Sequence, residues 1–150
     1  MNTPWGASDY REQTPVPGVT FYGTPSHGGY HVTGPALDRI PAQFRESKYT
    51  PGYPGWFEED CDWAIVAVFI PEAFPVPPHD GCTDGYRHVS PIDRRPSVLP
   101  CDLCAPQDLA RLTLERYRPE VLAYRAGLVV LASDSATMTG PIPRSEGAAM

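Results

Sequence analysis

Residues 55–70 read GWFEEDCDWAIVAVFI, with four acidic side chains and a cysteine directly before an apolar run. Apolar residues recur in this run at the i, i+3, i+4, i+7 spacing of a buried helical face, at Trp63, Val66, Ala67 and Ile70. The residues between them are also apolar, so the run predicts a central core helix that ends at Pro71.

The acids before this run have two interpretations. Glu58, Glu59 and Asp60 would lie in the first helical turn, where the helix dipole favours negative charge, and this requires no function. Alternatively, two of them act as ligands or as a general acid and base, because crowded carboxylates raise the pKa of one of their number. The sequence does not choose between the carboxylates.

A β-hairpin is predicted upstream by GVTFYGTPSHGGYHV, residues 18–32. β-favouring residues flank GTPSHGG, in which Gly, Pro and Ser indicate a turn of six or seven residues. Gly28 and Gly29 are expected to bring the backbone round through positive φ. Ser26, His27 and Gly28 either surround an anion or oxyanion, or form only a tight turn.

The fold class follows from the remaining patterns. The chain contains 19 prolines, which keeps regular elements short. Residues 34–45 offer one or two helical turns interrupted at Pro41, and two C-terminal helices are expected between Pro106 and Gly127. We expect a small single α+β domain, with the N-terminal hairpin packed on the central helix, a C-terminal helix pair and long Pro-rich loops.

Composition sets the domain boundaries and the class of protein. Residues 1–17 are expected to form an arm, residues 18–132 the domain, with an irregular Pro-rich segment at 76–106, and residues 133–150 a flexible tail. The net charge of −6 argues against general nucleic-acid binding. With no apolar span and no signal-peptide pattern, a cytoplasmic protein without a membrane segment is expected.

A catalytic site is predicted from His27, Glu59 and Cys61. A thiol near a helix N-terminus has a lowered pKa and becomes nucleophilic, although Asp60 and Asp62 oppose this effect. His27 would be its base. The alternative is that Cys61 is a small buried apolar residue.

A structural zinc site is predicted in the Pro-rich segment. CDLC places Cys101 and Cys104 at the spacing of two thiolates on one Zn²⁺, and Cys82 with His88 would complete a Cys₃His site. His79 is the alternative histidine. Cysteines without a shared role remain the other interpretation, because the upstream spacing fits none of the common zinc patterns.

Two stretches carry a resemblance to a known family. TPSHGG at residues 24–29, and GWFEEDCDWA at 55–64 before an apolar helix, resemble an uncharacterised domain of bacteriophage, plasmid and other mobile-element proteins. LERYRPEVLAYRAG, residues 114–127, resembles the closing helix pair of that family. The resemblance implies a context rather than a reaction, and it implies one cleft lined by Ser26, His27, Glu58, Glu59, Asp60 and Cys61.

The sequence favours a non-enzymatic accessory protein of a phage or mobile element that binds another protein, interfering with a host or defence component. Tyr53 and Trp56, in the Tyr-Pro-Gly loop at residues 49–56, are the expected contact residues, since such side chains are good interface anchors. The alternative is a small hydrolase or transferase that uses His27 with Cys61 or with a carboxylate from residues 58–60. The sequence leaves the oligomeric state open.

Overall fold

The computed structural model describes residues 1–76 and 105–127, together with the backbone of two short strands, β7 (Cys82–Thr83) and β8 (Arg87–His88). The described residues form an antiparallel sheet, a buried helix and a pair of C-terminal helices, which confirms the predicted α+β class.

Four antiparallel strands make up the main sheet. They are β3 (Tyr10–Gln13), β4 (Val19–Gly23), β5 (Gly28–Val32) and β6 (Trp56–Glu58), paired in the order β3-β4-β5-β6. Both faces of β4 carry buried residues, among them Val19 on one face and Tyr22 on the other, while β3 is exposed along its whole length at the sheet edge.

The predicted hairpin is confirmed, with a shorter loop than expected. β4 and β5 pair from Val19 opposite Val32 to Gly23 opposite Gly28, which leaves a four-residue loop at 24–27. Thr24 closes this loop because its N–H and its hydroxyl both donate to the carbonyl oxygen of His27, each at 2.7 Å. The expectation of positive φ at the two following glycines is wrong, since both continue the strand.

The acidic stretch does not begin the helix, which corrects the sequence prediction. Trp56, Phe57 and Glu58 form β6, are all buried, and pair with β5. Aromatic residues suit a pleated, buried surface, and pairing with β5 satisfies their backbone groups, so the strand is preferred there over a helical turn. Residues 59–62 form a turn, and the helix starts only at Trp63.

The central helix is α2 (Trp63–Phe69), and its predicted burial is confirmed. Five consecutive residues, Ala64, Ile65, Val66, Ala67 and Val68, are buried, because β5, β6 and the C-terminal helices cover it. A 3-10 turn, Pro71–Ala73, follows the end of this helix.

The remaining described helices flank this core. α1 (Gly34–Asp38) and a 3-10 turn at Ala42–Phe44 follow the hairpin, interrupted at Pro41 as expected. α3 (Pro106–Tyr117) packs against α2, and residues 119–127 form α4, which confirms the C-terminal pair. Pro106 occupies the first turn of α3, where its missing N–H is not needed.

The first 17 residues are part of the sheet structure rather than an arm. β1 (Asn2–Thr3) and β2 (Gly6–Ala7) pair with each other, and β3 extends the main sheet. Trp5, in the turn between β1 and β2, approaches the Trp56 ring edge-on, with 5.9 Å between the ring centroids. Within the predicted Pro-rich segment, the structure describes β7, β8 and the residues at its two ends, 76 and 105–106, and the predicted tail at 133–150 lies outside the described residues.

A buried polar network fixes the C-terminal helices to the turn that precedes α2. Asp62 is fully buried, accepts a hydrogen bond from Ser47 Oγ, and pairs with Arg118 Nη1 at 2.9 Å. Arg118 also donates to Glu120 Oε1 at 2.5 Å. Each buried charge therefore meets its partner, which is what makes burial of an ion pair tolerable.

Within the described residues, every helix is too short or too polar to cross a membrane.

Candidate functional site

Strand pairing brings the hairpin loop and the acidic turn together. Gly29 lies opposite Glu58 in the β5–β6 ladder, and the Glu59 N–H donates to the Gly28 carbonyl at 3.0 Å. His27 directly precedes β5, Glu58 is the last residue of β6, and Glu59 and Asp60 follow it. Because antiparallel strands place the start of one beside the end of the other, residues about 30 positions apart in sequence become neighbours.

Three side chains converge at this point: His27, Glu58 and Glu59. One nitrogen or oxygen atom from each lies within 4.8 Å of the other two. His27 and Glu59 are exposed, whereas Glu58 is only 9% exposed. Ser26 is exposed in the same loop.

Glu58 holds the turn in place. Its Oε2 accepts hydrogen bonds from the backbone N–H groups of Asp60, at 2.8 Å, and Cys61, at 3.1 Å. Burial raises the pKa of Glu58, while these two N–H groups act in the opposite direction. This carboxylate is thus a fixed point beside two exposed, movable side chains.

Cys61 lacks the surroundings of a nucleophile. Burial raises the pKa of the Cys61 thiol, the charges of Glu58 and Asp62 raise it further, and a hydrogen bond with Tyr49 lowers it only in part. Cys61 precedes α2 instead of lying in its first turn, which removes the helix-dipole argument. Among the described residues, the converging group that contains His27 does not include this thiol.

Gly28 and Gly29 are needed for close approach rather than for positive φ. A Cβ on Gly29 would lie 2.3 Å from the Trp5 ring and 2.4 Å from the Phe57 carbonyl oxygen. A Cβ on Gly28 would lie 2.7 Å from Glu59 Oε2. The two glycines at the start of β5 therefore leave room for an aromatic ring and a carboxylate.

A cleft of about 590 Å³ lies next to this cluster and shares Glu59 with it. Its aromatic surface is formed by Phe21, Tyr30, Trp63 and Phe74, and its carboxylates are Glu12, Glu59 and Asp60. Gln13, Thr14, Pro15, Ala73, Pro75 and Leu109 complete the described lining. None of these described residues is basic.

The aromatic residues of the cleft support one another. The Phe21 and Tyr30 rings, on paired positions of β4 and β5, have centroids 5.2 Å apart. The Phe74 ring lies 5.1 Å from Tyr30 and 5.6 Å from Trp63. Tyr10 donates from its hydroxyl to Glu12 Oε2 at 2.8 Å, which orients one of the carboxylates.

Sequence reasoning missed most of this cleft. It identified Glu59 and Asp60, but not Glu12 or the aromatic surface. Phe21 and Tyr30 carried a usable signal, because their positions in the predicted hairpin place them on one face of the sheet. Glu12 and Phe74 reach the cleft only because of how β3 and the segment after α2 pack, and no local sequence pattern reports that packing.

The predicted contact residues of the Tyr-Pro-Gly loop separate in the structure. Tyr49 and Tyr53 are about half exposed, at 48% and 52%. Trp56 is 7% exposed and stacks on His31 with 4.0 Å between ring centroids, so the prediction of Trp56 as a surface contact is wrong. Its position in β6 places the ring on the face of the sheet where Trp5, Tyr22 and His31 cover it.

The predicted zinc site falls largely outside the described residues. Cys82 and His88 are directly opposite each other in the β7–β8 ladder. Cys101, Cys104 and the alternative ligand His79 lie outside the described residues. The zinc site therefore stays a prediction.

Comparison with known proteins places the chain without assigning it an activity. Residues 1–139 match the family described as Domain of unknown function (DUF7007). No curated protein and no solved structure matches the chain.

Proposed function

The chain belongs to the DUF7007 family of unknown function, and we propose that it is a protein-binding module whose acidic, aromatic cleft takes a Lys- or Arg-bearing segment of a partner protein. The observation that carries this proposal is the lining of the cleft, where carboxylates and aromatic rings meet and no described residue is basic.

Charge gives the cleft its preference. Three carboxylates line the cleft, those of Glu12, Glu59 and Asp60. Among the described residues, none of them forms an ion pair with a basic side chain. A bound cation would relieve the repulsion between them and form charge-assisted hydrogen bonds.

The aromatic surface suits the stem of the same side chain. Lys and Arg carry three or four methylene groups that pack on apolar surface while the charged end reaches water or a carboxylate. The faces of Tyr30, Trp63 and Phe74 also attract cations through the ring quadrupole. A cleft of about 590 Å³ exceeds the volume of one side chain, so it also admits neighbouring residues of a peptide.

The sequence resemblance supplies a proposed context. A phage or mobile-element accessory protein that acts by binding a host or defence protein, in the cytoplasm, would need such a surface. The exposed Tyr49 and Tyr53 would extend the contact beyond the cleft.

Peptide binding tests the proposal directly. A library of peptides varying in Lys and Arg content is titrated against the full chain in the presence of a chelator, with tryptophan fluorescence, to which Trp63 of the cleft contributes, as the reporter. We expect basic peptides to bind and acidic peptides not to bind, with affinity falling as salt rises.

Two variants locate the binding. Glu12→Gln combined with Asp60→Asn should weaken basic-peptide binding by about 2- to 30-fold, since each exposed pair contributes roughly 0.2–1 kcal/mol. Asp9→Asn, at an exposed residue that does not line the cleft, is the matched control and should change nothing. Equal affinity for basic and acidic peptides, or an unchanged affinity in the double variant, would refute the proposal.

A further inference from the structure

We propose that His27, Glu58 and Glu59 form a binding site for a divalent transition-metal ion. None of these residues belongs to the zinc site predicted from Cys82, His88, Cys101 and Cys104, and only Glu59 is shared with the peptide cleft. One imidazole and two carboxylates converge there, with ligand atoms that lie within 4.8 Å of one another. This combination of nitrogen and oxygen donors suits Mn²⁺, Fe²⁺ or Zn²⁺.

The spacing fits an ion between the three side chains after small movements. Two protein ligands on one ion are about 3–4 Å apart, because each lies roughly 2.0–2.2 Å from the metal. Side chains that start within 4.8 Å of one another need to approach by an ångström or so. Exposed His27 and Glu59 have the freedom to do this by rotation about their side-chain bonds.

Glu58 supplies the fixed ligand. Its Oε2 is held by two backbone N–H groups, and its Oε1 accepts no hydrogen bond from any other described residue. Glu58 is nine-tenths buried, and one of its carboxylate oxygens lies within 4.8 Å of a Glu59 oxygen, so two negative charges converge at one place. A cation between them would neutralise both charges.

Among the described residues, His27 forms no salt bridge with either glutamate, so none of the three side chains is held in an ion pair that a metal ion would have to break. Three protein ligands leave coordination positions for water, which is the pattern of reactive metal sites rather than of closed structural sites.

Mn²⁺ is the best probe, because it prefers carboxylate and imidazole and has little affinity for the thiolates of Cys82, Cys101 and Cys104. The full chain is freed of metal with a chelator, dialysed and titrated with Mn²⁺, and free Mn²⁺ is measured by electron paramagnetic resonance. We expect one Mn²⁺ bound per chain. Pulsed measurements should show nitrogen coupling from one imidazole.

Variants assign the ligands. His27→Ala and Glu59→Gln change exposed side chains and should each weaken Mn²⁺ binding at least about 10-fold, with loss of the nitrogen coupling only in His27→Ala. Glu58→Gln keeps an oxygen that can accept the two backbone hydrogen bonds, which guards against unfolding. Glu115→Gln, an exposed glutamate on α3, is the control and should bind normally.

The outcomes are separable from those of the peptide experiment, since Mn²⁺ binding is measured without peptide and peptide binding with a chelator. Absence of stoichiometric Mn²⁺ binding overturns the metal site and leaves the cleft proposal standing. Stoichiometric binding that His27→Ala and Glu59→Gln leave unchanged also overturns the assignment, because the ion would then lie elsewhere.

Discussion

Removal of the Asp62 carboxylate should destabilise the protein by about 3–5 kcal/mol, the usual cost of leaving one charge of a buried pair without its partner. In Asp62→Ala, the Arg118 side chain stays 6% exposed and loses the oxygen that lies 2.9 Å from Nη1. It keeps only Glu120, whose side chain is 52% exposed and therefore compensates weakly. The Ser47 hydroxyl loses its acceptor as well.

The assay is urea denaturation followed by circular dichroism, with thermal unfolding as a second measurement. For a chain of this length, the predicted loss corresponds to a fall in Tm of roughly 6–20 °C. Glu115→Ala is the matched control, because it breaks a surface ion pair with Arg111 and should cost at most about 0.5 kcal/mol.

A double-mutant cycle tests the cause. Asp62→Leu combined with Arg118→Met removes both charges and leaves apolar side chains of similar size, so the double variant should be less destabilised than Asp62→Leu alone. If Asp62→Ala costs less than about 1 kcal/mol, or if the effects of the two substitutions are simply additive, the pair does not hold the C-terminal helices to the turn.

Three further outcomes are expected. Gly29→Ala should lower the free energy of unfolding in urea by roughly 1–3 kcal/mol, because the added Cβ meets the Trp5 ring and a carbonyl oxygen. Gly127→Ala is the control and should leave this free energy unchanged, since the space around Gly127 is open. Equal effects of the two substitutions would contradict the packing argument. Burial lowers the pKa of His31, which favours the neutral ring in the folded state, so stability is fully present above about pH 6.5 and declines as the pH falls below it. His31→Gln should flatten the dependence of the free energy of unfolding on pH in that range. An identical slope in the variant would contradict the assignment of this dependence to His31. Because its pKa is raised, the Cys61 thiol should be alkylated more slowly at pH 7 than a cysteine of the unfolded chain, as measured by peptide mass spectrometry. Tyr49→Phe removes a hydrogen bond that lowers this pKa, so it should slow alkylation further. Faster alkylation in either case would show that Cys61 is a thiolate.

Local patterns predicted the elements whose burial is expressed along a short stretch of chain. The apolar run at residues 63–70 could only be satisfied by burial, and α2 is indeed the buried centre of the fold. The β-favouring residues on either side of GTPSHGG predicted β4 and β5. The Pro106 signal marked the start of the C-terminal helix pair correctly.

The acidic stretch shows where local reasoning failed. First-turn acids and strand-end acids look alike in sequence, because both are charged residues next to an apolar run. Pairing with β5 decided the outcome, since it buries Trp56 and Phe57 and satisfies their backbone groups over a distance of about 27 residues. The nearness of His27 to Glu59 is a consequence of the same pairing.

The sequence by itself determined which residues must be buried and which residue types were available for chemistry, because hydrophobic periodicity and turn chemistry act over a few neighbouring residues. Tertiary structure alone decided which of those residues meet. Glu12 of β3 faces the same cleft as Asp60, and Arg118 reaches Asp62 across 56 positions, because strand order and helix packing set these distances. Contacts of that kind depend on the free energy of the whole fold, and no short stretch of this chain records them.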